Sequence, residues 1–245
     1  MSANIILMIR TLALSMLLAT VNCQPDKPPT NILVFSKTAG FRHGSIPAGQ
    51  EALRSLCREN GLQMDTTENA GLFTDTNLSQ YNAVVFLNTT GDVLNAEQEA
   101  AFERFIRAGG GYMGIHAATD TKYDWPWYGA LVGGYFNGHP AIQQATLLID
   151  AHGHPATAHL GDSWQRTDEW YNFRDLNPAV QVLLRIDESS YQGGTMGADH
   201  PMSWYHAYDG GRAFYTALGH TEESYNEPDF RRHLLGGLLY VAGRD

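Results

Sequence analysis

Cysteine is scarce in this sequence, with two residues among 245. Cys57 lies at helical spacing from Leu53 and Leu56, which indicates a buried side chain. Cys23 lies near the start of the chain, and this pair excludes a disulfide framework. The fold must therefore be stabilised by its core, and a chain of this length with 43% hydrophobic residues can bury a sizeable one.

Basic residues are also few, with 16 Lys and Arg against 26 Asp and Glu, for a net charge of -10. This charge argues against a nucleic acid or an anionic membrane surface as a partner. A small neutral molecule such as a carbohydrate fits better, and 5 tryptophans offer flat faces for stacking. The sequence has no internal repeat and no linker after residue 30, and it leaves open whether the chain forms a homo-oligomer.

Long hydrophobic runs are missing except for TLALSMLLATV, which follows Arg10 and is too short to span a bilayer. We interpret residues 1–22 as an export signal. The segment ends in LLATVNC, which resembles a bacterial lipoprotein signal with Cys23 as the lipidated residue; ordinary cleavage near Cys23 is the alternative. Residues 23–30 then form a Pro-rich tether. This predicts a location in the bacterial periplasm or at the cell surface, with membrane contact only through the lipid anchor.

The first half of the mature chain alternates short apolar strands with amphipathic helices. Strands are predicted at Asn31–Ser36 (NILVFS) and Ala83–Leu87 (AVVFL), and Ser45 and Asn95 are the expected N-caps of the following helices. Strands and helices at this spacing form βαβ units with a parallel sheet. The sequence therefore predicts an α/β fold in one domain over residues 31–243.

The second half is less regular. Residues 142–150 alternate as an edge-type strand, and Asp209-Gly210-Gly211 predicts a hairpin turn. Residues 230–241 predict a closing helix. The histidines of AHGHPATAH (residues 151–159) suggest a metal-binding tract by composition, but they have no acidic or cysteine partner at ligand spacing. We interpret them as part of a solvated loop.

The stretch GGGYMGIHAATD (residues 109–120) predicts a buried strand that ends at His116. Ligands of open α/β sheets bind at the carboxyl ends of the strands. Ala117 and Ala118 leave space around the imidazole. A polar side chain at the end of a buried strand is costly to bury, which favours a functional role for it. His116 is therefore the first candidate for a catalytic group or metal ligand. The glycines precede a strand rather than a helix, so they do not form a phosphate loop.

Several longer motifs together resemble the ThuA-like (trehalose utilisation) family: FRHGSI, GGGYMGIHAATD, FNGHP, DEWY, PMSWYH and GRAFYTALGHTEESYNEP. The resemblance implies a flavodoxin-like (class I glutamine amidotransferase-like) sandwich, with a mostly parallel central sheet and helices on both faces. It also implies a role in carbohydrate catabolism, on disaccharides or their keto derivatives. The amidotransferase relatives carry a nucleophilic Cys in the turn where this chain has His116, so glutaminase activity is not expected.

Candidate site residues lie at the ends of predicted strands, in loops and in the motifs quoted above. The candidate catalytic residues are His116, His43, Glu169 and His220, with His as acid, base or ligand. The candidate substrate-binding residues are Asp120, His139, Asp168, Tyr171, Trp204 and His206, which supply polar groups and aromatic faces for a sugar ring.

Three hypotheses follow for the function of such a site. The first is an enzyme (hydrolase, lyase or isomerase) that acts on a disaccharide or keto-glycoside by acid–base chemistry of His and a carboxylate. The second is a non-catalytic sugar-binding lipoprotein. The third is metal-assisted hydrolysis, in which His43, His116 and His220 hold a divalent ion such as zinc.

Overall fold

The computed structural model describes residues 30–245 of the chain. The predicted signal segment, the lipidation site Cys23 and the tether up to residue 29 lie outside the described residues. Thr30, which the sequence places in the tether, is the first residue of a β-strand.

Eleven strands and five α-helices make up the described fold. The strands are β1 (Thr30–Phe35), β2 (Leu62–Thr67), β3 (Ala83–Leu87), β4 (Gly111–Ile115), β5 (Tyr135–Phe136), β6 (Gln143–Ile149), β7 (Ser163–Asp168), β8 (Phe173–Arg174), β9 (Gln181–Ile186), β10 (Pro201–Tyr208) and β11 (Gly211–Thr216). The helices are α1 (Ile46–Glu59), α2 (Asp75–Leu78), α3 (Ala96–Arg107), α4 (Pro126–Val132) and α5 (Pro228–Val241).

Nine of the strands form one sheet in the order β2-β1-β3-β4-β11-β10-β9-β6-β7. The pairs from β2 through β11 are parallel, and the pairs from β11 through β7 are antiparallel. All the strands of this sheet except β6 and β10 therefore run in the same direction. As a result, the carboxyl ends of β1, β4, β7 and β11 lie on the same side of the sheet. The remaining strands, β5 and β8, pair as a separate two-stranded sheet.

Helices cover both faces of the parallel half. Neighbouring residues of a strand point to opposite faces. The ring of Tyr112 in β4 packs against Phe102 of α3 and Tyr128 of α4. A side chain at the preceding residue, Gly111, would meet Val241 of α5. Helices α3 and α4 thus lie on one face and α5 on the other, where it also contacts α1.

The core follows the apolar periodicity of the sequence. Strand β3 is buried at every position, as a central parallel strand should be. Helix α3 begins with a capping box between Asn95 and Gln98, as its sequence predicts. It buries its apolar face (Ala101, Phe102, Phe105 and Ile106). Cys57 is buried as expected, and burial raises the pKa of its thiol to about 11.

One prediction for the second half was wrong, and one strand was missed. The strand expected at an edge, β6, is hydrogen-bonded on both sides, to β9 and β7. The true edge strand is β7, which the sequence pattern does not reveal, because SWQRTD has few apolar residues although its burial alternates along the strand. The hairpin between β10 and β11 and the closing helix α5 are confirmed.

Within residues 30–245, none of the helices combines the length and the apolar character needed to cross a bilayer.

Candidate active site

Four side chains from well-separated parts of the chain converge at one side of the sheet. His43 follows β1, His116 follows β4, Glu169 follows β7 and His220 follows β11. One ligating atom from each of them lies within 4.8 Å of all the others. We call these four residues the histidine–glutamate cluster. It lies where the direction of the sheet gathers the carboxyl ends of its strands.

A strained turn places His116 at the centre of this cluster. His116 has φ 50°, a left-handed backbone conformation that is uncommon outside glycine, and its side chain is fully buried. Its Nδ1 lies 2.7 Å from the carbonyl oxygen of Ala217. A carbonyl can only accept, so Nδ1 carries the proton. The lone pair of the neutral ring is therefore on Nε2, which faces the rest of the cluster.

His220 and Glu169 complete the close contacts around His116. His220 Nδ1 lies 3.1 Å from His116 Nε2 and 3.0 Å from Glu169 Oε2, and His116 Nε2 lies 3.5 Å from the same carboxylate oxygen. Ligands of one tetrahedral ion, each about 2.0–2.2 Å from it, are separated by roughly 3.3–3.5 Å. The observed separations are close to that range.

His43 is the fourth member and is almost completely buried. Its ring stands edge-on to the rings of His116 and His220, with centroids 4.8 and 5.1 Å away. Burial, together with the neighbouring histidines, lowers the pKa of His43 to about 3. The ring is therefore neutral near neutral pH. Its buried Nδ1 has no hydrogen-bond partner among the described residues.

Opposing effects set the charges of the other two members. Burial disfavours the carboxylate of Glu169, but its close contacts with the imidazoles of His116 and His220 outweigh burial and hold its pKa below the usual range. Burial disfavours the imidazolium of His220, but the hydrogen bond and charge of Glu169 raise its pKa overall. The cluster thus combines an ionised carboxylate with imidazole nitrogens, the donor types of zinc sites, and it can equally relay a proton between Glu169 and His220.

Three of the predicted substrate-binding residues border the cluster. The His139 side chain is 41% exposed, and its Nδ1 lies 3.0 Å from Glu169 Oε1. Tyr171 is buried, and its ring centroid lies 4.3 Å from that of His116. Asp120, half-buried, accepts a hydrogen bond of 2.6 Å from the hydroxyl of Tyr123. Among these three, His139 is the most exposed and the best placed to touch a ligand.

Asp168, also predicted to bind substrate, has no exposed surface and instead positions the cluster. Its carboxylate accepts hydrogen bonds from the backbone N–H groups of Gly219 and His220, at 2.8 and 3.1 Å. It also forms an ion pair of 3.0 Å with the buried guanidinium of Arg166. Asp168 therefore holds the end of β7 against the loop after β11, and a substrate cannot reach it.

Ser45 joins the same support. It precedes α1, as predicted for an N-cap, but its hydroxyl does not cap the helix. The hydroxyl instead donates to the carbonyl of Gly219 at 3.2 Å and accepts from the side-chain amide of Asn88 at 3.0 Å. The loops after β1, β3 and β11 are thereby tied together beneath the cluster.

The structure does not bring Trp204 and His206 to the cluster. Trp204 in β10 is fully buried, and its indole N–H donates to the carbonyl of Val132. His206 is buried and lies 3.1 Å through Nε2 from the carbonyl of Ala130. Alternation along β10 predicts core positions for both side chains. In the sequence, the aromatic motif WYH instead suggests a surface for a sugar ring.

The interpretation of residues 151–159 as a solvated loop fails for His154. This side chain is buried, and its ring packs 4.4 Å from the ring of Tyr205. Its Nδ1 accepts a hydrogen bond from the backbone of Ala156. His152 remains exposed, beside Asp162. The group is not a metal tract, because the ring of His154 is turned into the core.

Comparison with known proteins identifies a matching family and similar solved structures. A family model described as ThuA, trehalose utilisation, matches residues 31–241. A ThuA-like protein from Bacteroides uniformis ATCC 8492 superposes with a TM-score of 0.75 at 23% identity, covering 91% of this chain and 96% of that one. A ThuA-like protein from Parabacteroides merdae ATCC 43184 gives a TM-score of 0.74 at 19% identity, covering 88% and 90%.

A more distant likeness bears on the fold alone. A protein described as part of a GMP synthase from Thermoplasma acidophilum superposes with a TM-score of 0.51 at 12% identity, covering 89% of this chain and 96% of that one. The predicted fold class, a flavodoxin-like and amidotransferase-like sandwich, is confirmed. No curated protein matches the chain in sequence.

Proposed function

The chain belongs to the ThuA family, described as trehalose utilisation, and from this premise we propose that it is an enzyme that acts on a disaccharide or keto-glycoside at a divalent metal centre. Family membership supports a carbohydrate-related role. The metal centre is our proposal from the geometry of His43, His116, Glu169 and His220.

The convergence of four ligating atoms within 4.8 Å carries this proposal. Three imidazole nitrogens and one carboxylate form a donor set that suits zinc. The unpartnered, buried Nδ1 of His43 supports it further, since an orphaned polar atom in a protein interior calls for a partner. The hydrogen bond from His116 Nδ1 to a backbone carbonyl resembles the outer contacts that orient metal-bound histidines elsewhere.

A divalent ion held by these residues would act as a Lewis acid toward a carbonyl or glycosidic oxygen if one coordination position is left to the substrate. The residues of the chain supply the rest. Glu169 contacts His139 through its second oxygen, and so orients this exposed imidazole beside the cluster. The buried Tyr171 closes the other side of His116 and keeps water from it.

The metal content of the protein, purified without chelator and without an affinity-tag metal, tests the proposal. We expect one zinc or similar ion per chain, and its loss in both His43→Ala and His116→Ala. His152→Ala is the matched control, because this exposed histidine lies outside the cluster, and it should retain the ion. Wild-type protein without metal that turns over saccharides in the presence of a chelator would contradict the metal centre.

A second candidate function is proton transfer without a metal, as in our first sequence-based hypothesis. The contact of 3.0 Å between His220 Nδ1 and Glu169 Oε2 favours it, because such a pair can take a proton from the carbon next to a carbonyl. A keto-glycoside would be its substrate. Full turnover by metal-free enzyme, abolished in Glu169→Gln, would select this mechanism.

We further propose that the chain is exported and anchored through a lipid on Cys23. The support is the sequence LLATVNC followed by a Pro-rich segment. Mass spectrometry of the native N-terminus is the test. An unmodified start at another residue, recovered without membranes, would contradict the anchor and leave the proposed chemistry untouched.

A further inference from the structure

We infer that Phe41 is the surface on which a sugar ring of the substrate stacks beside the histidine–glutamate cluster. This inference rests on the proposed function, because it assigns a platform for the same saccharide. Phe41 lies in the loop after β1, two residues before His43, and is the first residue of the motif FRHGSI.

The exposure of Phe41 is the first observation. The side chain is 65% exposed, more than Ile142, Leu148 or Tyr123, the other large apolar side chains that are clearly exposed among the described residues. A single exposed apolar side chain is common at a protein surface, but Phe41 lies against the ring of a buried cluster residue, His43, so its free face can contact a ligand bound there.

The backbone of Phe41 is held in place on both sides. Its carbonyl accepts a hydrogen bond of 2.8 Å from the hydroxyl of Thr90, and the N–H of Gly40 contacts the same hydroxyl at 3.2 Å. Arg42, the next residue, forms a two-pronged ion pair with Glu68, at 2.7 and 3.2 Å. A ring presented from such a fixed backbone costs little ordering entropy when a ligand covers it.

The ring of Phe41 directly adjoins the cluster. It stands edge-on to the ring of His43 with centroids 4.8 Å apart, and His43 in turn contacts His116 and His220. A saccharide that stacks on Phe41 would therefore place a neighbouring carbon or oxygen next to the four converging ligand atoms. The other aromatic candidates cannot do this, since Trp204 and Tyr171 are buried.

The chemistry of the platform indicates the ligand class. A benzene ring has no hydrogen-bonding group, so it favours the apolar C–H face of a pyranose over a charged ligand. Polar contacts to the hydroxyl groups would come from His139, which is partly exposed near Glu169. We therefore assign a neutral pyranoside, bound with one ring face on Phe41.

Binding of trehalose and its keto derivative, measured by calorimetry and by saturation-transfer NMR, tests the inference. Phe41→Ala should weaken binding or raise KM roughly tenfold, which corresponds to about 1.4 kcal/mol, while kcat and bound metal stay near wild type. Phe41→Tyr should restore most of the affinity. In Phe41→Trp, the indole emission should change when saccharide is added.

Ile142→Ala is the matched control, because Ile142 is also an exposed apolar side chain, and it should leave binding unchanged. If wild-type protein binds these saccharides and Phe41→Ala binds them equally well, the platform is wrong while the proposed function stands. If wild-type protein binds neither saccharide, both the platform and the sugar-directed function are overturned. A fall in kcat without a change in KM would also contradict a stacking role.

Discussion

Two sets of histidines in this protein differ in what their nitrogens face. The cluster set is His43, His116 and His220, and the interior set is His154, His206 and His233. In the interior set, each ring has one nitrogen bonded to the main chain and packs against an aromatic ring. In the cluster set, nitrogens from three loops turn toward one another and toward Glu169.

The difference teaches that neither burial nor an unpartnered nitrogen is sufficient by itself to identify a site. His154 Nε2 and His206 Nδ1 are buried without hydrogen-bond partners among the described residues, just as His43 Nδ1 is. The rings that carry these two interior nitrogens, His154 and His206, each pack against an aromatic side chain, so their burial is accounted for by core packing. Convergence with a carboxylate is the feature that separates the cluster set from the interior set.

The strongest test of this comparison is the removal of His116. His116→Ala and His116→Gln should each lower turnover by about 10²–10⁴-fold, because the group at the centre of the site is gone. Circular dichroism should be unchanged. Sugar binding, measured side by side, should persist. Unchanged turnover in both variants would refute the site, and equal losses in His206→Ala would remove the distinction between the two sets.

Asp168→Asn should damage both stability and the site. It leaves the buried guanidinium of Arg166 with only the longer ion pair to Glu227, at 3.4 Å, and the loss of the Asp168 charge should lower the free energy of unfolding by about 3–5 kcal/mol. It also weakens the support of the Gly219 and His220 backbone, so metal retention should fall. Urea unfolding and metal analysis measure the two effects. Asp162→Asn is the control, since Asp162 is fully exposed, and a wild-type result for Asp168→Asn would contradict the positioning role.

His233→Ala should affect stability alone. The fully buried ring contacts the carbonyl of Ala156 at 2.9 Å and the hydroxyl of Thr216 at 3.1 Å. Its loss should lower the free energy of unfolding by roughly 2–4 kcal/mol, through a cavity and unpaired polar groups. Metal content per folded chain should match wild type. Loss of metal in this variant would show that the two sets are coupled.

The interior set should also make the protein sensitive to mild acid. Burial lowers the pKa of His233 to about 3 and that of His154 to about 4, against an ordinary value of 6.5. Below pH 6.5 these two histidines bind protons in the unfolded chain but stay neutral in the folded protein. Their contribution to the free energy of unfolding is therefore complete only above pH 6.5. It is lost as the pH falls toward those folded-state values.

Each of these two histidines should therefore lower the free energy of unfolding by about 1–2 kcal/mol when the pH falls from 7 to 5. Urea unfolding of the wild type and of His154→Phe, each at pH 7 and pH 5, isolates the contribution of His154. The other titrating groups are the same in both proteins, so their effects cancel when the two pH dependences are subtracted. An identical pH dependence in the two proteins would contradict the assignment for His154.

The parallel half of the fold follows directly from the sequence, and the antiparallel half does not. Strand β3 and helix α3 have strong apolar patterns that local burial explains. The bounds of β3 and the N-cap of α3, Asn95, were predicted as the structure has them. Strand β7 was missed because its alternation is carried by Trp164, Arg166 and Asp168, and two of these are charged. A buried ion pair cannot be inferred from a pattern that treats charge as exposure.

The site was predictable in its members but not in its geometry. His43, His116 and His220 were candidates because each was expected at or after the end of a predicted strand. Glu169 was a candidate because it belongs to the motif DEWY. What the sequence could not reveal is that β7, the far edge of the sheet, returns its carboxyl end to the loop after β11, where Asp168 contacts Gly219. That return depends on sheet pairing between segments far apart in the chain. Trp204 was misplaced for the converse reason, since its motif suggested a ligand surface and the strand placed it in the core.

The contact between the end of β7 and the loop after β11 also determines when the site can form during folding. His116 and His220 are 104 positions apart along the chain, and Glu169 reaches them only after the last strands have paired. During synthesis the cluster stays incomplete until nearly the whole chain has emerged, so no folding fragment can capture an ion with native geometry. An ion held there would then bind only the finished fold, and would stabilise it in proportion to the logarithm of the free ion concentration.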